Sequence, residues 1–169
     1  AQVVTDNIDC FTRTGITLKS GATLDADIIV LATGLNLKFA GGVDYRIDDR
    51  SLDFTEHFIY RGMMFSDIPN IAFTVGYTTS SWTLKADLTA NYVCRLLNEM
   101  TKRGNNTVTP RVIGSIDEEP LIDFDSGYVL RSQDKLPKQG NRIPWKNYQD
   151  YIRDFISLRL GRLQDKELE

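Results

Sequence analysis

Asp25-Ala26-Asp27-Ile28-Ile29-Val30-Leu31-Ala32-Thr33-Gly34 is the stretch on which the reading of this chain turns. Residues 28–32 are five consecutive apolar side chains without polar alternation, the pattern of a strand buried on both faces inside a helix-covered sheet. The run is short, rich in β-branched residues and stopped by Gly34, which favours strand over helix. In open α/β sheets, ligands bind beyond the carboxyl ends of the strands, where small residues let a cofactor approach the backbone. Ala32-Thr33-Gly34 occupies such an end, although a strand followed by glycine also marks an ordinary turn.

Upstream of this stretch, Val3-Val4, residues 8–12 and residues 16–19 are strand-like runs. Asp6-Asn7, Arg13-Thr14-Gly15 and Ser20-Gly21 separate them with good turn chemistry. An antiparallel meander delivering the chain to a buried strand is the simplest arrangement. Downstream, residues 36–53 are mixed, with Gly41-Gly42 and the acidic Asp48-Asp49, and read as a loop with one short strand. Residues 54–65 are aromatic and methionine-rich, a composition that suits either a core or an apolar pocket.

Pro69-Asn70 marks a turn before residues 71–75, Ile-Ala-Phe-Thr-Val, a second buried-type strand ending at Gly76. Leu84, Leu88, Tyr92, Leu96 and Met100 then recur every four residues, widened by Val93 and Leu97, and predict a long amphipathic helix. Ser80 or Ser81 can cap its start, and Lys102-Arg103-Gly104 forms its stop. The hydroxyls of Thr78, Thr79, Ser80 and Ser81 either cap this helix or dress its N-terminus as an anion or carbonyl site. Residues 105–119 are a polar connection, and 121–130 have no clean period. A closing helix is expected from Pro144, with Trp145, Tyr148, Tyr151, Ile152, Phe155, Ile156 and Leu160 on its apolar face and Gly161 as its stop. Residues 164–169 read as a frayed or cut end.

Composition excludes several classes. A formal charge of −3 gives no basic field for nucleic acid or anionic lipid, and no apolar run is long enough to span a bilayer. Cys10 and Cys94 lack metal-ligand spacing and read as free thiols of a reducing, cytoplasmic compartment. His57 is the only histidine, which argues against a histidine metal cluster or a Ser-His-Asp triad. The start at Ala1-Gln2-Val3, running straight into strand-like sequence, is that of a piece of a longer polypeptide.

The residues carry a resemblance beyond these patterns. LDADIIVLATGL (24–35) resembles the ATG segment of class B flavoprotein monooxygenases, the flavin-containing and Baeyer–Villiger monooxygenases. PNIAFTVGYTTSSWTLKADLTANYVCRLLNEM (69–100) resembles the following strand and helix of that family. SGYVLRSQDKLPKQGNRIPWKNYQDY (126–151) resembles the carboxyl-terminal segment of its ethionamide-monooxygenase branch. The resemblance implies an α/β (α+β) fragment of a fold with two dinucleotide-binding domains, built from a small antiparallel meander, buried strands and two main helices. Residues 1–35 would end an NADPH-domain-like meander with the ATG strand, 36–104 would return the chain to the FAD-binding domain, and 105–169 would be a carboxyl-terminal extension.

The cofactors so implied are FAD and NADPH, held by the full-length enzyme and not stably by this piece. Carried over residue by residue, the flavin neighbours are Thr33, Gly34, Gly76, Thr79, Ser81, Trp82 and Thr83. The implied reaction inserts one oxygen atom of O2 into a small apolar ketone, or oxidises a sulfide or amine, through a flavin peroxide. Met64 and Phe65 would help set substrate identity. No metal is implied and no catalytic residue is assigned; Lys85 reads equally as a candidate and as a helix surface charge. The glycine-rich loops, the fingerprint and the catalytic arginine of the family have no counterpart in this chain, so the piece alone is expected to be inactive. Two alternatives stand beside this one: an NADPH-dependent flavin disulfide reductase, and a cofactor-free interaction module. A truncated enzyme would expose apolar surface near Gly34 and Gly76 and could self-associate through it. An interaction module would not.

Overall fold

In a computed structural model describing residues 1–163 and 165–169, the chain forms two compact units, Ala1–Leu35 and Asn36–Glu169. It is a mixed α/β chain with small antiparallel sheets and few helices.

The first unit is the expected meander: β1 (Ile8–Thr12), β2 (Gly15–Leu18) and β3 (Thr23–Asp25) pair antiparallel in that order. Gly15 is required by close approach, since a Cβ there would lie 1.9 Å from the Leu24 carbonyl oxygen of the neighbouring strand. Val3-Val4 adds no strand, and neither does the central stretch. Residues 28–32 run outside any sheet, with Ile28, Ile29, Val30 and Leu31 exposed at 83%, 37%, 83% and 67%. The expected buried strand is therefore corrected. An extended segment must find its hydrogen-bond partners on another strand, and the described residues supply none for it.

In the second unit, Asp48 and Asp49 adopt φ of 48° and 64° and turn β4 (Arg46–Ile47) into β5 (Arg50–Ser51). Aspartate tolerates this left-handed region better than most residues, and hairpin turns of this kind require it. A second tight hairpin joins β6 (Ile59–Tyr60) to β7 (Met64–Phe65), and β8 (Glu118–Pro120) pairs with β9 (Lys138–Gly140). Residues 71–75 are not a strand either. Ile71, Phe73 and Val75 lie against an apolar cluster while Ala72 is exposed, and the Phe73 N–H donates to the Met63 carbonyl at 2.7 Å. The alternation of a strand is present, but not the ladder.

Helix α1 (Trp82–Arg103) has its predicted ends: the Ser81 side chain accepts from the Thr83 N–H, and Gly104 at φ 71° closes it in the left-handed conformation. Its inward stripe is Lys85, Leu88, Thr89, Tyr92 and Leu96, whereas Leu84 and Leu97 face outward. A short helix α2 (Gly127–Leu130) follows. The closing helix begins later than Pro144, at α3 (Tyr151–Asp154), capped by Asp150, and widens into a π-helical run at Phe155–Leu160. Wider turns rotate successive side chains differently from 3.6-residue spacing. Within this run Ile156 and Leu160 are exposed and Leu158 is buried; Ile152, in α3 ahead of it, is exposed as well. Arg95 of α1 satisfies the terminal carbonyls of this run, donating to Leu158, Arg159 and Gly161 at 2.7–2.8 Å.

The core has two clusters. One gathers Tyr60, Met63, Met64, Leu88, Tyr92 and Trp145, and the other Phe54, Ile59, Phe65, Ile68, Leu121 and Leu136. The aromatic and methionine-rich segment is thus core. Gln164 of the expected frayed end lies outside the described residues. Residues 165–169 are tied in, with Thr109 and Glu169 exchanging both backbone hydrogen bonds at 2.7 and 3.0 Å.

Candidate functional site

The second unit contains an apolar cleft of about 620 Å³. The segment before α1 forms one wall with Phe73, Val75, Gly76 and Tyr77, and Trp82 opens the helix at its edge. Phe39 and the Phe124, Tyr128, Val129 group form other walls; Lys38 is the only cation among the lining residues.

Local sequence explains the wall. A Cβ at Gly76 would fall 2.1 Å from Cδ2 of Trp82, so glycine lets the indole lie against the backbone. Trp82 is nevertheless 61% exposed, presenting aromatic surface at the helix start. Gln149, itself at φ 54°, clamps the turn: its Oε1 accepts from the Thr78 N–H at 2.8 Å, and its Nε2 donates to the Gly76 carbonyl at 3.4 Å. Ser81 and Thr83 share a side-chain hydrogen bond of 2.7 Å at the cap, and Thr79 is exposed in the same turn. The hydroxyls at 81 and 83 are therefore engaged in capping.

Behind the wall lies a charge cluster. Lys85 is 1% exposed, and its Nζ donates to Asp154 Oδ2 at 2.7 Å. The Tyr77 hydroxyl donates to the same oxygen at 2.7 Å, and the Lys85 ammonium lies 5.7 Å from the Tyr77 ring centroid. Burial pushes the Lys85 pKa below the ordinary lysine range, against the opposing charge of Asp154. Burial, reinforced by the bond to Asp154, pushes the Tyr77 phenol well above its ordinary range. Lys85 is thus a buried ion-pair member and not a helix surface charge.

Of the residues suggested by sequence, Gly76 and Trp82 line the cleft, while Thr79, Ser81 and Thr83 sit at the adjoining helix start without lining it. Thr33 and Gly34 are exposed residues of the first unit, with Gly34 at φ 87°. Met64 and Phe65 are buried in the core and do not line the cleft. Sequence reasoning missed Tyr77, Gln149 and Asp154. Only the adjacency of Tyr77 to Gly76 pointed to any of them, because Gln149 and Asp154 arrive from more than 70 residues away. Among the described residues, no cluster of histidine, cysteine or acidic side chains could hold a metal ion. Nor is any described helix long and apolar enough to cross a membrane. Cys10 and Cys94 are both free and exposed.

No protein-family model matches the chain, and no solved structure does. Curated relatives do match it. The FAD-containing monooxygenase EthA of Mycobacterium tuberculosis is 54% identical over 168 residues, 99% of this chain and 34% of that protein. EthA of Mycolicibacterium smegmatis is 46% identical over 169 residues, again 99% and 34%. The probable FAD-binding monooxygenase AlmA of an Acinetobacter species is 43% identical over 171 residues, covering 100% of the chain and 34% of that protein. The chain therefore spans about a third of the length of these relatives. Along its whole length the chain is therefore similar to the carboxyl-terminal third of FAD-containing monooxygenases.

Proposed function

We propose that this chain contributes one wall of the flavin and substrate site of an FAD- and NADPH-dependent monooxygenase with two dinucleotide-binding domains. The observation that carries this reading is the apolar cleft bounded by Gly76, Tyr77 and Trp82 in a chain similar throughout to FAD-containing monooxygenases. The lining suits the ring end of a flavin: aromatic and aliphatic walls with few polar groups. It does not suit a pyrophosphate, which calls for a nest of backbone N–H donors or a cluster of cations. When bound, FAD supplies the redox chemistry by which NADPH electrons and O2 are turned to oxygenation of a ketone, sulfide or amine.

The chain's own residues would bind and exclude. Trp82 and Phe73 offer apolar surface to a planar ring, and Gly76 lets the Trp82 indole lie against the backbone of this wall. The start of α1 adds the positive end of a helix dipole, suited to negative charge on a reduced cofactor. By resemblance alone, Thr33 and Gly34 of the first unit are flavin neighbours of the full-length protein. Apolar walls of this kind would help keep water from the reacting centre.

Isotope labelling tests this function. The longest natural polypeptide containing these residues is supplied with NADPH, labelled O2 and panels of apolar ketones, sulfides and amines. One labelled oxygen atom in the product per NADPH oxidised is the expected result. NADPH oxidation with no label in any product, accompanied by disulfide reduction, would transfer the chain to the reductase alternative.

A further inference from the structure

The cleft wall is held by three hydrogen bonds, all from one stretch of chain. Gln149 fixes the backbone of residues 76 and 78, and Asp154 fixes the side chain between them by accepting the Tyr77 hydroxyl at 2.7 Å. Tyr77 lines the cleft; Asp154 and Lys85 do not. The phenol is thus anchored away from the cleft, and Tyr77, only 2% exposed, is an immobile support for the wall at residues 76–78. A free hydroxyl on this wall would rotate and would demand a polar partner inside an apolar cavity. The anchor itself needs support, because a carboxylate with little solvent access is costly unless a cation balances it. Lys85 is that cation, 1% exposed and paired with the same oxygen.

From this geometry we infer that Asp154, charge-balanced by Lys85, is a positioning residue that holds buried Tyr77, and with it the wall at residues 76–78, fixed against the flavin ring. The inference rests on the flavin reading above. It goes beyond it by assigning a role to the Lys85–Asp154 pair, which the resemblance left without one.

The test uses the longest natural polypeptide containing these residues and two variants that differ only in the acceptor. Lys85→Met/Asp154→Leu removes both charges and the acceptor, whereas Lys85→Met/Asp154→Asn removes the charges and keeps an oxygen for the Tyr77 hydroxyl. Thermal unfolding establishes that both variants fold. FAD affinity should fall about tenfold in the leucine variant and stay within about twofold in the asparagine variant. The visible flavin bands should shift in the former only. Equal FAD affinity and identical flavin spectra in the two variants would overturn the inference, because a purely structural pair would not distinguish the acceptors. If the leucine variant does not fold, Tyr77→Phe replaces it: weakened FAD binding supports the inference, and binding equal to that of the unaltered protein overturns it. An unaltered protein that binds no FAD overturns the flavin reading and this inference with it, an outcome readily told apart from a flavoprotein indifferent to the substitutions.

Discussion

Residues 28–32 and the segment 76–96 carry comparable apolar signals, and they end in opposite states. The first is a run of five aliphatic residues whose side chains are largely exposed and whose backbone joins no sheet. The second buries Tyr77, Lys85, Leu88, Tyr92 and Leu96, and satisfies its backbone within α1. Hydrophobicity does not separate them. A helix makes its hydrogen bonds along its own length, whereas a strand depends on residues elsewhere. Even a charged side chain such as Lys85 is buried where a partner is at hand, while Val30 stays exposed where none is.

The largest effect that would sharpen this contrast is expected in the core of the second unit. Trp145 is fully buried and meets Tyr60 edge-on with ring centroids 5.4 Å apart. Trp145→Ala should lower stability by about 3–5 kcal/mol, whereas Val30→Ala should change it by no more than about 0.5 kcal/mol, both read by urea unfolding. Comparable losses at the two positions would break the contrast.

Next is the buried pair. Lys85→Ala leaves Asp154 without its cation and should cost about 3–5 kcal/mol. Lys85→Met/Asp154→Leu should recover most of that loss, and chemical denaturation of both variants checks it. Alkaline pH adds a related test. Burial raises the pKa values of Tyr60, Tyr77 and Tyr92, so above the ordinary tyrosine range of about 10 the unfolded chain loses protons that the folded chain keeps, and stability falls as pH rises. The lowered pKa of Lys85 acts in the opposite sense: between its folded value and the ordinary lysine value, the unfolded chain binds more protons and stability rises with pH. Three phenols against one ammonium should leave a net loss. Phenolate absorbance should therefore show Tyr60, Tyr77 and Tyr92 ionising only as the chain unfolds.

Smaller effects are expected at the helix ends and in the first unit. Ser81→Ala removes the side-chain acceptor for the Thr83 N–H and should cost about 1 kcal/mol in thermal unfolding. Val30→Lys should leave unfolding nearly unchanged while shifting sedimentation of the 169-residue chain towards the monomer, if the exposed aliphatic run mediates self-association.

Legibility in the sequence follows the same division. The meander and both caps of α1 were readable because turns and caps are written in neighbouring residues. The two buried-type strands, 28–32 and 71–75, were misread because period and composition report a preference for extended backbone and say nothing of a partner. The closing helix was placed too early because Asp150, rather than Pro144, caps it, and its π-helical turns undid the 3.6-residue count. Gly76 was readable as a point of close approach, but its immediate neighbour is the Trp82 indole. Asp154 and Gln149 were not legible, since nothing in a linear pattern joins them to Tyr77 and Thr78.

Flavin content of the longest natural polypeptide containing these 169 residues tests the central claim most directly, measured beside the 169-residue chain alone. A yellow full-length protein that releases FAD on denaturation, with a colourless isolated chain, is the result expected of a wall that contributes to a flavin site without completing it. A colourless full-length protein that takes up no added FAD would contradict it, and would leave the cleft at Gly76, Tyr77 and Trp82 to a ligand of another kind.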